Sequence, residues 1–236
     1  MVAVYRLLLL LVPCLGLAQE QLNIAVTASF KPVLEALADP FTESTNIQLS
    51  LSSASTGVLF QQIISGAPFD VFFAADVERP RLLVDRLQLP ANARRDYAMG
   101  QLVLVINNTA LSGIADLKDY SRRVIHANPA HAPYGLAAQQ VLDRVGFRGE
   151  RVLANNVTQA RQYLSLGLAD VGLIAASVAQ GFDDVVELDR TEYDAIRQQL
   201  VIVKPSNRVD ALIRFLDTPF AKDIIQQQGY RLPESP

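Results

Sequence analysis

Five hydroxyl side chains crowd into seven residues at 50–56: Ser50, Ser52, Ser53, Ser55 and Thr56. The stretch around them, "LSLSSASTGVLFQQI" (49–63), contains no charged residue. A strand-to-helix turn needs only one such hydroxyl as an N-cap, which stabilises the helix by about 1 kcal/mol. The surplus points to another use. A helix N-terminus presents unpaired backbone N–H groups and about half a positive elementary charge. Hydroxyls beside it add donors that rotate to meet an acceptor. Together these groups hold an anion without Lys or Arg.

Three more junctions have the same character. In "AVTASFKP" (25–32), Thr27 and Ser29 stand at a strand end and Pro32 lies in the first helical turn. In "HANPAHAPYGLA" (126–137), Pro133 precedes a helix that Tyr134 or Gly135 begins. In "ANNVTQA" (154–160), Asn156 and Gln159 have the spacing of an N-cap and its N3 partner, a capping box. None of the four contains Asp or Glu, and Lys31 is the one Lys or Arg beside them.

These junctions require strands that run into helices, and the chain supplies them. "LNIAVTA" (22–28), "IQLSLSS" (47–53), "DVFFAAD" (70–76), "GQLVLVINN" (100–108), "RRVIHANP" (122–129), "ERVLANN" (150–156), "ADVGLIAAS" (169–177) and "QQLVIVKP" (198–205) read as strands. Helical patterns alternate with most of them, and Gly66 and Gly146 stop two of the helices. The chain closes with two amphipathic helices broken near Thr218–Pro219. Alternation of this kind defines an α/β fold with mixed, mostly parallel sheets and helices on both faces. Two series of elements imply two lobes: residues 21–98 plus 203–236, and residues 99–202. The chain crosses between them near 98–102 and 198–205. In open α/β sheets ligands bind at the carboxyl ends of strands, so the four junctions are expected to face a cleft between the lobes.

Composition narrows the function. The 236 residues include 24 acidic and 21 basic side chains, for a net charge of −3, with no basic block. Nucleic acid and anionic membrane surfaces are therefore poor candidate partners, and no nucleic acid is expected. Residues 1–18 have the pattern of a secretory signal peptide: Arg6, an apolar run from Leu7 to Leu17, and Gly16 and Ala18 at −3 and −1 of a cleavage after Ala18. That run is too short for a membrane span, which needs about 20 residues. Cys14, the single cysteine, lies inside it, and Pro13 does not suit a lipoprotein site. A mature chain without cysteine has no disulfide, thiol nucleophile or thiolate metal site. His126 and His131 are the only histidines and no G-x-S-x-G elbow is present, so neither catalysis nor a protein-ligated metal is expected.

The chain resembles the periplasmic molybdate-binding proteins of ABC transporters, which have the two-lobed type II binding-protein fold. The resemblance covers about residues 21–232. It is carried by "AVTASF", "SSASTGVLFQQIISGAPFDVFFAAD" (52–76), "YAMGQLVLV" (97–105), "NPAHAPYG" (128–135) and "GLADVGLIAAS" (167–177). It implies a receptor that closes over one molybdate or tungstate dianion and delivers it to a membrane permease. Such a receptor works in the periplasm as a monomer, without a cofactor or catalysis. Position by position, it assigns ligand hydroxyls to Ser29 and Thr56, with Ser55 and Thr27 as further candidates, and main-chain amides to Tyr134 and Val157. A tyrosine that one subgroup uses at the end of strand 171–175 is replaced here by Ala175, and a further first-loop side chain by Ala28. Sulfate, thiosulfate and phosphate are the competing ligands. A phosphate site gains from a carboxylate that accepts the ligand's proton, and smaller sulfate cannot reach all donors of a rigid cage.

Overall fold

The computed structural model describes residues 20–233, and the expected signal peptide at 1–18 lies outside them. Two five-stranded sheets form the centres of two lobes. In the first lobe the strands are β1 (Glu20–Thr27), β2 (Ile47–Ala54), β3 (Val71–Ala74), β4 (Arg94–Gly100) and, after a long excursion, β10 (Ile196–Ile202). The second sheet holds β5 (Leu102–Ile106), β6 (Arg123–Ala127), β7 (Glu150–Ala154), β8 (Val171–Ala175) and β9 (Val185–Glu187). Their orders are β2-β1-β3-β10-β4 and β7-β6-β8-β5-β9. The lobes therefore repeat one topology. Each sheet has two parallel pairings and two antiparallel ones, the latter around β10 and β5. Those two strands arrive from the opposite lobe, which reverses their direction and makes the sheets less parallel than the alternating pattern implies.

The helices are α1 (Lys31–Thr45), α2 (Thr56–Ile64), α3 (Glu78–Leu87), α4 (Pro133–Arg144), α5 (Val157–Ser165), α6 (Asn207–Leu216) and α7 (Pro219–Gln227). Strand periodicity distributes the first lobe's core over both sheet faces. Leu22, Ile24 and Val26 of β1 and Val71 and Phe73 of β3 pack with α1, α6 and α7. Ala25, Phe72 and Ala74 point the other way, into a cluster with Leu59 and Ile63 of α2 and Leu83 of α3. Each such fully buried Leu, Ile or Phe contributes roughly 1.5–3 kcal/mol. The last two helices cover the first lobe, as the sequence implied. Local chemistry ends the helices where expected: Gly66 and Gly146 take positive φ of 91° and 72° just beyond α2 and α4.

The sequence-based division at 98/99 and 202/203 does not follow the sheets. It cuts β4, and it assigns β10 to the wrong side. β10 pairs with β3 and β4 of the first lobe through its whole length. The chain crosses at Gly100–Leu102 and again within 188–195, before β10 begins. The second crossing was displaced because "QQLVIVKP" reads equally well as a strand of either sheet, and only long-range pairing decides.

Candidate functional site

Both lobes bring strand ends and helix starts to their shared boundary. In the first lobe the Ala28 amide donates to Ala54 O at 2.9 Å, locking the end of β1 to that of β2. Ser29 follows, 1% exposed, and its Oγ has no hydrogen-bond partner. Ser55 is the N-cap of α2 in extended conformation (φ −67°, ψ 152°), yet its side chain makes no capping bond. Its Oγ is also buried and unpartnered. An N-cap serine ordinarily accepts from an amide of the first turn. Here the Gly57 amide instead donates across the boundary to His131 O at 2.9 Å.

Thr56, the fully buried neighbour, is already committed. Its Oγ1 accepts the Ala75 amide at 3.1 Å and donates to Thr27 Oγ1 at 3.3 Å. The Thr56 hydroxyl thus ties α2 to the loop after β3 and to the end of β1. Of the candidate hydroxyls, Ser29 and Ser55 make no bond, and Thr56 spends its proton on Thr27, whose Oγ1 accepts it.

The second lobe repeats the arrangement. The Asn128 amide donates to Ala154 O at 2.7 Å, the counterpart of the Ala28–Ala54 bond. α4 begins at Pro133, whose fixed φ and missing N–H suit a first helical position, one residue earlier than the sequence suggested. Tyr134 is second, at a position whose amide has no acceptor within the helix. Gly135 follows, and a Cβ there would lie 2.2 Å from Ala127 O, so only glycine lets α4 sit directly on the end of β6. α5 begins at Val157, also with an orphan first-turn amide. Half of the expected capping box is present: Asn156 Oδ1 accepts the Gln159 amide at 2.9 Å, while Gln159 Oε1 accepts the amide of Asn155, one residue before the N-cap, at 2.6 Å.

The lobes are closed on one another. Besides Gly57–His131, Thr158 Oγ1 donates to Ala28 O at 3.4 Å and Ser177 Oγ to Ser29 O at 2.9 Å. Ala28 and Ala75 of the first lobe pack into the second lobe's core cluster. All six candidate residues, Thr27, Ser29, Ser55, Thr56, Tyr134 and Val157, are buried at this boundary. Ala28 and Ala175 are buried there too and bring no hydroxyl.

Among the described residues, the charged groups that bridge the lobes beside these junctions are a compensated pair. Arg79 Nη1 contacts Asp76 Oδ2 at 2.5 Å, and Arg79 Nη2 donates to Ala130 O of the second lobe at 3.3 Å. Burial raises the Asp76 carboxyl above the usual value, against the opposing pull of Arg79. Lys31 turns outward to Glu35 at 2.7 Å. His126 is buried with Nδ1 2.8 Å from Ala127 O, and burial lowers its pKa. His131 contributes only its carbonyl. Among the described residues no group of three His, Cys, Asp or Glu side chains could hold a metal ion.

Sequence reasoning missed the Asp76–Arg79 pair and four buried polar side chains behind the site: Tyr97, Ser177, Gln198 and Tyr230. The first pair was visible as an i,i+3 spacing beyond a strand end. The other four are separated by up to two hundred residues from the loops they meet and had no local signal.

Two topologically equivalent lobes, closed over facing helix N-termini, define a solute-binding protein. The chain belongs to the bacterial extracellular solute-binding proteins, whose family model matches residues 22–231. It is 32% identical to the molybdate-binding protein ModA of Azotobacter vinelandii over 244 residues, covering 94% of each chain. It is 31% identical to ModA of Rhodobacter capsulatus over 224 residues, covering 90% of this chain and 89% of that one. The solved structure of the periplasmic molybdate-binding protein of Azotobacter vinelandii superposes with a TM-score of 0.82 at 31% identity, over 90% of this chain and all of that one.

Proposed function

We propose that this chain is an extracytoplasmic receptor for molybdate, and equally for tungstate, serving an ABC importer. One observation carries the reading: two serine hydroxyls, Ser29 Oγ and Ser55 Oγ, are buried without partners at the N-termini of α1 and α2. A buried hydroxyl left unsatisfied costs about 1–3 kcal/mol, so a ligand with acceptor oxygens is the natural recipient. The first-turn amides of Thr56, Tyr134 and Val157 complete a neutral set of donors. Such a set suits a fully deprotonated tetrahedral dianion. The similarity to two molybdate-binding proteins points to the same ligand.

In this reading Ser55 takes the role that the sequence resemblance gave to Thr56, because the Thr56 hydroxyl is already engaged. Thr27 supports Thr56 rather than the ligand. The lobes open and close about Gly100–Leu102 and residues 188–195. The signal peptide at 1–18 exports the chain to the periplasm, where the closed monomer docks on a membrane permease. No cofactor takes part, and the metal of the ligand touches only its own oxygens.

Thermal unfolding in the presence of molybdate, tungstate, sulfate and phosphate tests the assignment. A ligand at about 100 times its Kd stabilises the fold by roughly 2.7 kcal/mol. Molybdate and tungstate should give equal shifts, and sulfate and phosphate little or none. Equal stabilisation by sulfate would remove the molybdate assignment in favour of a general oxyanion receptor.

A further inference from the structure

Behind the candidate site, five buried polar residues follow one another across the boundary: Gln198, Tyr134, Tyr230, Ser177 and Ser29. They alternate between lobes. Gln198 is on β10 of the first lobe, Tyr134 on α4 of the second, and Tyr230 follows α7 in the first. Ser177 follows β8 in the second, and Ser29 returns to the first. Gln198 Nε2 donates to Tyr134 Oη at 3.0 Å, and Ser177 Oγ donates to Ser29 O at 2.9 Å. Ser177 Oγ and Tyr230 Oη are 3.2 Å apart, and the hydroxyls of Tyr230 and Tyr134 are neighbours.

Counting protons orients the row. Each hydroxyl has one proton to donate, an amide N–H only donates and a carbonyl only accepts. Ser177 gives its proton to Ser29 O, so the Tyr230 hydroxyl must donate to Ser177 Oγ. Tyr134 accepts from Gln198, which leaves its proton for Tyr230. Tyr97 Oη has two acceptors, Gln198 Oε1 at 2.7 Å and Ala74 O at 3.1 Å; its one proton on the nearer of them leaves the Gln198 N–H groups facing Tyr134. Ser29 Oγ meets no partner of acceptable geometry, although it borders Tyr230, and keeps its own proton. Burial pushes both Tyr134 and Tyr230 above the ordinary phenol range, so both hydroxyls keep their protons at neutral pH.

The row is also tied to the crossing between lobes. Arg231, next to Tyr230, pairs with Met99 beside the crossing at Gly100. A Cβ on Gly100 would lie 2.3 Å from Tyr134 Oη and 2.7 Å from Gln198 Nε2. Glycine at the crossing is what gives the row its room.

We propose that Gln198, Tyr230 and Ser177 are positioning residues that lock the closed cleft and present the Ser29 hydroxyl and Tyr134 amide to the bound ligand. The inference rests on the oxyanion-receptor reading. Every link joins opposite lobes, so opening the cleft must break the whole row. The lock therefore acts on ligand release rather than on capture.

The test measures association and dissociation rates of molybdate with the unaltered chain, Tyr230→Phe, Ser177→Ala and the double variant. Tyr230→Phe keeps the ring that packs edge-on to Phe30 at 5.3 Å and removes only the hydroxyl. Each single change should speed dissociation about tenfold, corresponding to one lost hydrogen bond. The double variant should dissociate little faster than the worse single, since the groups act as one row. Association rates and unliganded melting should stay unchanged. Unaltered dissociation in both single variants, or multiplicative effects in the double, would overturn the lock while leaving the receptor reading intact. Absence of molybdate binding by the unaltered chain would overturn both. Ser177→Ala keeps the test decisive should Tyr230→Phe fold poorly.

Discussion

Thr56 Oγ1 gives its one proton to Thr27 Oγ1 at 3.3 Å, and this bond decides which hydroxyl of the Ser55–Thr56 pair is available to an acceptor. Both residues are buried at the same helix start, and both carry a hydroxyl. One holds the first lobe together and the other has nothing to hold. Their substitutions should therefore separate. Thr56→Val leaves the buried Ala75 N–H unpaired and should destabilise the unliganded fold by about 1–3 kcal/mol. Ser55→Ala should leave that stability unchanged and weaken molybdate binding at least tenfold, as expected for losing a hydrogen bond to a charged group. Denaturant unfolding and calorimetry on both variants check the pair. The opposite pattern would restore Thr56 as the ligand residue.

Gly57 tests closure from the front of the cleft. A Cβ there would lie 3.1 Å from His131 O and 3.2 Å from its Cα, both backbone atoms of the other lobe. Gly57→Ala crowds the closed form alone. In the open form alanine favours the helix by about 0.5–1 kcal/mol over glycine. The variant should melt at or above the unaltered temperature without ligand, yet bind molybdate about tenfold more weakly, a cost near 1.4 kcal/mol. Unchanged affinity would show that the lobes do not approach this closely when loaded.

His126 should shape the acid limb of stability. Its pKa is lowered in the folded chain, first by burial, with Nε2 left unpartnered. The unfolded chain then takes up the proton more readily as pH falls through the ordinary value of 6.5. Stability from this group is present above 6.5 and declines below it, towards the lowered folded value. Replacing His126 with Gln should flatten the fall in melting temperature between neutral and mildly acidic pH. An unchanged slope would assign that limb to other groups.

Much of this arrangement was legible in the sequence because it is local. Each of the four junctions combines a strand run, a turn residue and a helical period within about a dozen residues, and all four lie at the lobe boundary. The edges of the sheets were not legible. β4, "RRDYAMG", is charged at the first three of its seven residues, and β9 has only three residues, two of them exposed. Such strands exist through pairing with distant partners rather than through their own pattern. The same reason hid the Tyr230 row, whose five members come from five separate segments. The choice between Ser55 and Thr56 lay below sequence resolution, since it depends on the proton that Thr56 gives to Thr27.

The central claim is that two unpartnered serine hydroxyls hold the oxyanion. Calorimetric titration of molybdate into the unaltered chain and into the Ser29→Ala, Ser55→Ala double variant tests it most directly. The unaltered chain should show one tight site. In the double variant, affinity should fall by roughly a hundredfold or more, about 1.5–3 kcal/mol per hydroxyl, with unliganded melting preserved. Equal affinity in the two proteins would contradict it.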